Sequence, residues 1–175
     1  PDIPVPELNK RMEKQMGKLI QKYQKDYSDW GWKDPRTCLT IPLWMDVINH
    51  LRLNNIIKII FMSRKAISVA RSLKKRNGIS LNRGVQLWKS YTERTLYYCE
   101  NSVVPIFYCS FEDLLQSPDS VCEPLFNFLE KDLDQSVVDQ FVDNTISTSG
   151  SGEEIDTPED ITELETKIRN MINIG

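Results

Sequence analysis

Residues Ile56 to Ser72 read IIKIIFMSRKAISVARS, and the reading of this stretch decides the fold. Ile56, Ile57, Ile59, Ile60, Phe61 and Met62, broken only by Lys58, have the length and β-branching of a buried parallel strand. The run stops at Ser63-Arg64, and Ile67, Ala70 and Leu73 then recur at helical spacing. A strand that passes into a helix with an Arg at the junction is a common way to hold a phosphate. The Arg stands at the carboxyl end of the strand, where open α/β sheets bind ligands, and the helix N-terminus adds its own partial positive charge. The competing reading is a surface Arg after a core strand.

The 175 residues, 40% apolar and 27% charged, suffice for one domain with a core of its own. A single domain over 1–175 is expected, with 1–130 the better defined part. No apolar stretch reaches the roughly 20 residues that span a bilayer, and no signal-like start is present. The four cysteines, Cys38, Cys99, Cys109 and Cys122, have no C-x-x-C spacing, and the single His50 cannot complete a zinc site with them. Buried free thiols in a reducing, cytoplasmic setting are expected, with no metal and no membrane or nucleic-acid partner.

The net charge of −3 hides a split. Residues 1–100 carry 19 Lys+Arg against 9 Asp+Glu, and residues 101–175 carry 3 against 16. Such asymmetry suits an anionic ligand on the basic side, or two solvated faces that pair with each other.

Along the chain, Leu8, Met12, Met16, Leu19, Ile20 and Tyr23 share one face of a helix expected from Glu7 to about Lys25. Trp30-Gly31-Trp32 reads as a short strand, with Lys33-Asp34-Pro35-Arg36 projecting from its end. Thr40 is placed to cap a helix that runs to about Leu51, where His50 acts as a charge partner for the C-terminus. Asn77-Gly78 ends the Ile67 helix, and a longer helix follows from about Leu81 to Tyr98 with Trp88 in the core. Val103 to Cys109 is a second strand, whose Pro105 argues for an edge or a bulge. Ser110 to Leu115 is a loop or helical turn, and Ser117-Pro118 opens a helix to Leu129. Gln135 to Val142 is a further helix candidate, 144–156 looks flexible, and Thr157 is the expected cap of the last helix with Asp160 at the box position. Strands alternating with helices point to a parallel sheet covered by helices.

Four motifs fall in order: Trp30 to Trp44 (WGWKDPRTCLTIPLW), Arg64 with Ser72 eight positions on, Phe111-Glu112-Asp113-Leu114-Leu115 after a strand, and Ser117-Pro118 at a helix start. Together they resemble the PAPS-dependent sulfotransferase superfamily, in particular its bacterial members with a Trp-Lys-Asp-Pro-Arg segment, over roughly residues 2–130. The resemblance implies a P-loop NTPase-like three-layer α/β/α fold with a parallel sheet. It implies PAPS as co-substrate, adenosine 3′,5′-bisphosphate as product, and a sulfuryl acceptor among carbohydrates, small molecules or proteins. Arg64 and Ser72 then hold the 3′-phosphate, and Lys33 stands near the transferring sulfuryl group. Asp34 either positions Lys33, accepts the acceptor's proton or pairs with Arg36, and Arg36 is a second anion contact. The basic run Arg71, Lys74, Lys75 and Arg76 either steers an anion or is a solvated helix face.

The N-terminal strand and Gly-rich loop that cradle the 5′-phosphosulfate in that family are missing from these residues. Pro1 in place of Met favours truncation over loss of half the cofactor site. A sheet missing its middle would expose apolar edges, so a homo-oligomer, another chain or a rearrangement is expected to cover them. Residues 144–160 offer no Arg or Lys for a basic loop over the nucleotide. The alternatives are a non-catalytic sulfotransferase-like module that binds a partner protein or polyanion, and a P-loop kinase relative, for which a Walker lysine loop is lacking.

Overall fold

The computed structural model describes residues 7–53, 57–142 and 156–172. The chain forms two compact units, one from Pro1–Ile57 and Ser90–Val104, the other from Lys58–Lys89 and Pro105–Gly175.

In the first unit, helix α1 spans Lys10–Asp26. It begins later than Glu7 because the Asn9 side chain accepts from the amides of Arg11 and Met12 at 3.1 and 3.0 Å and caps the helix. Met12 and Met16 are half-buried and Ile20 is buried, whereas Leu19, expected on the same face, is 46% exposed. Helix α2, Thr37–His50, starts three residues before the expected Thr40. The Asp34 carboxylate accepts from the Arg36 amide at 2.8 Å, and its carbonyl accepts from Thr37, so the Asp-Pro-Arg turn itself launches the helix. Thr40 caps nothing; its hydroxyl donates back to the Arg36 carbonyl. His50 closes α2, and its partner is not the helix C-terminus but Glu13 of α1, whose Oε1 lies 2.9 Å from Nδ1.

Trp30-Gly31-Trp32 is not a strand. Neither described strand lies in this unit, so the segment has no ladder to join. Its rings stack instead, in a row running Tyr27, Tyr23, Trp30, Trp32, Trp44 with centroids 5.0 to 6.0 Å apart.

In the second unit, β1 (Ile59–Ser63) and β2 (Ile106–Ser110) are parallel and paired in register from Ile59↔Ile106 to Ser63↔Ser110. They are linked by α3 (Ala66–Asn77) and α4 (Leu81–Glu100), whose second half belongs to the first unit. Gly78 ends α3 at φ 68°, a left-handed conformation that costs glycine nothing. Pro105 lies just before β2, and only its carbonyl enters the ladder, accepting from the Ile59 amide at 3.0 Å. The fold is therefore mixed α/β, mostly helical, with a two-stranded parallel sheet among the described residues.

The expected fully buried strand is only half realised. Phe61 is buried, but Ile60 and Met62 point the other way and are 44% and 43% exposed. The register pairs Ile60 with Phe107 and Met62 with Cys109, so these four share one face, which is buried over β2 and exposed over β1. Over β2 on that face Phe107, Cys109 and Val121 form a core cluster with Leu114, Leu125 and Phe128, whereas Phe61 packs against Tyr108 on the other face. Burial pushes the Cys109 thiol up to about 11, and Cys99, Cys109 and Cys122 are buried free thiols as expected.

Helices α5 (Phe111–Gln116), α6 (Pro118–Leu129), α7 (Gln135–Phe141) and α8 (Glu159–Met171) complete the unit. Lys58, the charge inside the apolar run, reaches the C-terminus of α6, donating to the Phe128 carbonyl and to Glu130 at 2.7 Å each. Pro158, not Thr157, is the N-cap of α8, and its carbonyl accepts from Ile161 and Thr162. Proline has no side-chain oxygen to accept from the first turn, so the expected capping box with Thr157 and Asp160 does not form. Most of the 144–156 stretch lies outside the described residues.

Candidate functional site

The register that ends β1 at Ser63 and β2 at Ser110 brings Arg64 and Phe111 out of the sheet side by side. The Arg64 guanidinium lies over the Phe111 ring, 4.7 Å from its centroid. The Arg64 carbonyl accepts from the Trp88 indole N–H at 2.9 Å. Both ends of this arginine are thus positioned by aromatic side chains from other elements.

An open cavity of about 380 Å³ lies here, with Ser63, Arg64, Lys65, Ser110 and Trp88 in its wall. It stands at the carboxyl ends of both parallel strands, where open α/β sheets place ligands. Its other wall comes from α5 and α8 and contributes Glu112, Asp113, Glu165 and Arg169. Asp113 pairs with Arg169.

Two of these carboxylates reach the N-terminus of α3. Glu112 Oε1 accepts from the Lys65 amide at 3.0 Å, and Glu165 Oε1 accepts from the buried Ala66 amide at 2.7 Å. The first amides of a helix are orphan donors at its positive end, so anionic partners are favoured there. Neither glutamate was singled out from the sequence as a site residue. Glu112 could be inferred once its strand was placed beside β1, but Glu165 is separated from Ala66 by 99 positions and carries no local signal.

Ser72 is not in the cavity wall. Helix α3 begins at Ala66, so Ser72 lies about 9 Å further along the axis at 1.5 Å per residue. The charge split is also explained in part: Lys58 pairs with Glu130 and Lys89 with Asp160, so basic and acidic segments of this unit meet in ion pairs. Lys89 holds the Asp160 carboxyl below its usual range, mainly through its hydrogen bond. Exposed pairs of this kind contribute about 0–1 kcal/mol each.

Lys33, Asp34 and Arg36 belong to the other unit. Lys33 is exposed beside Trp32, whose indole N–H donates to the Thr37 hydroxyl at 3.1 Å. Arg36 forks onto Asp34, with Nε 2.9 and 3.1 Å from its two oxygens. The Arg36 side chain, then its amide, hold the Asp34 carboxyl down at about 2, against an ordinary 3.8. A depressed carboxylate pKa stabilises the folded state above the unfolded value and loses that contribution as pH falls from about 4 through 2. A carbon-detected titration of Asp34 should therefore show a midpoint near 2 that moves up toward 3.8 in Arg36→Ala. An unchanged midpoint in the variant would remove Arg36 as its cause.

No protein-family model, curated protein or solved structure matches this chain.

Among the described residues no group of three or more His, Cys, Asp or Glu is placed to hold a metal ion, and no helix is long and apolar enough to cross a membrane.

Proposed function

We infer that this chain carries the 3′-phosphate half of a PAPS-dependent sulfotransferase site, on a sheet of P-loop NTPase-like ancestry. The observation that supports the reading most is Arg64, held between Phe111 and Trp88 in a cavity at the ends of two parallel strands. An arginine so fixed has already lost much of the side-chain freedom that binding would otherwise cost, and its fork suits two phosphate oxygens. Lys65 beside it adds positive charge in the same wall.

In the reaction, the sulfur–oxygen bond to the nucleotide's 5′-phosphate breaks as an acceptor hydroxyl or amine bonds the sulfur. Adenosine 3′,5′-bisphosphate leaves, and the acceptor's proton passes to a base. Lys33 is assigned to the charge that develops on the transferring group. Asp34, ionised and forked onto Arg36, holds the Asp-Pro-Arg turn and is too weak a base for the proton. The glycine-rich loop that this reading needs for the 5′-phosphosulfate is not among these 175 residues, so the direct test is binding of the bisphosphate.

Calorimetric titration should give saturable binding of adenosine 3′,5′-bisphosphate and much weaker binding of adenosine 5′-monophosphate. Arg64→Ala should weaken the former by about 10- to 150-fold, the equivalent of a charge-assisted bond of about 1.5–3 kcal/mol. Equal affinity for the two nucleotides, or no effect of the substitution, would refute the reading. A non-catalytic binding module is the second reading, favoured by the two carboxylates at the α3 amides. It predicts no selectivity for the 3′-phosphate.

A further inference from the structure

The candidate site in this fold is not empty of anions, because the chain supplies its own. Lys58 to Lys89 contains nine Lys and Arg and no Asp or Glu, so the strand–helix element is strongly attractive to negative charge. Glu112 reaches it from the same end of the sheet, two residues past β2, and its other oxygen is 3.4 Å from the Ser110 hydroxyl. Glu165 comes from a separate helix near the end of the chain. That helix is seated by Ile161 and Ile168, which are 0% and 3% exposed, and by the Lys89–Asp160 and Arg169–Asp113 pairs. The seating points the Glu165 carboxylate, itself part of the wall of the Arg64 cavity, at the Ala66 amide directly behind Lys65 of that wall.

We propose that Glu165 is a built-in competitor for the anion site: its carboxylate holds the Ala66 amide in the unliganded protein and must release it when a ligand's phosphate arrives. The proposal rests on the reading of the Arg64 cavity as a nucleotide 3′-phosphate site. A phosphate in that cavity meets a like charge on Glu165, which opposes binding unless the carboxylate turns away. Ala66 is buried, so its amide needs one acceptor or the other. The two anions therefore exchange at one donor, and the affinity for the nucleotide is lowered by the strength of the internal contact. Glu112 differs in kind. It is placed by the strand end itself and serves the Lys65 amide, so it remains when the ligand binds.

Glu165→Gln tests this without deleting the acceptor, because the amide oxygen of Gln can still accept from Ala66 while the charge is gone. Adenosine 3′,5′-bisphosphate is titrated into the wild-type chain and the variant, with urea unfolding to check that both are folded. The variant should bind about tenfold tighter or more. In the wild-type chain, the side-chain carboxyl carbon of Glu165 and the Ala66 amide should shift together during the titration, with one shared midpoint. Equal affinities, or a Glu165 carbon unmoved at saturation, would overturn the competitor while leaving the nucleotide site standing. Absence of binding to both proteins would overturn the nucleotide site and the competitor with it. If the variant does not fold, the wild-type carbon shift decides alone.

Discussion

Trp88→Ala should destabilise the chain by about 3–5 kcal/mol, the usual cost of removing a large buried aromatic. Trp88 is 7% exposed, and its indole is both a packing surface and the donor to the Arg64 carbonyl. Trp88→Phe separates the two roles. Phenylalanine keeps much of the apolar volume and removes the N–H, so stability should fall by only about 0.5–1.5 kcal/mol for the lost bond. Bisphosphate affinity should fall as well, because the junction residue that carries the guanidinium loses one of its two aromatic supports. Urea unfolding and nucleotide titration on the two variants measure both effects. A Trp88→Phe protein with unchanged affinity would mean that the indole serves the core only.

Gly84→Ala should destabilise by about 1–3 kcal/mol, the range for forced overpacking, even though alanine is the better helix former. A Cβ at Gly84 would stand 2.8 Å from both the Cα and the Cβ of Ala70, which is itself fully buried. Neither contact is the end of a flexible side chain, so α3 and α4 would have to part. Gly17 provides the internal comparison. An added Cβ there meets only Val47 Cγ1 at an ordinary 3.8 Å, so Gly17→Ala should stabilise by about 0.5–1 kcal/mol through reduced freedom of the unfolded chain. Opposite signs for one substitution in two helices are the expected result. A stabilised Gly84→Ala would show that the close approach of α3 to α4 is wrong.

What could be read from the sequence was whatever is decided locally. The strand at Ile59–Ser63, the helix after it and its end at Gly78 follow from apolar spacing and glycine chemistry within a few residues. Trp30-Gly31-Trp32 misled because alternating aromatics signal a strand only where a partner strand exists, and stacking rings satisfy the same pattern. The Asp34–Arg36 fork was one of three roles open to Asp34, and only side-chain geometry selects it. The surroundings of Arg64 were hidden more deeply. Phe111 follows a strand whose register was unknown, Trp88 is 24 residues away, and Glu165 lies in a helix whose docking depends on tertiary packing. Ser72 was chosen on spacing from Arg64, but the observed start of α3 carries it nearly two turns beyond the cavity.

The central claim is that the cavity at the ends of β1 and β2 receives a nucleotide 3′-phosphate beside Arg64. An amide-resolved NMR titration with adenosine 3′,5′-bisphosphate tests it most directly. The largest shifts should fall on the amides of Lys65 and Ala66 and on the Trp88 indole N–H, with one common dissociation constant. Shifts confined to the basic run from Arg71 to Arg76, or spread over the aromatic row of the first unit, would contradict it.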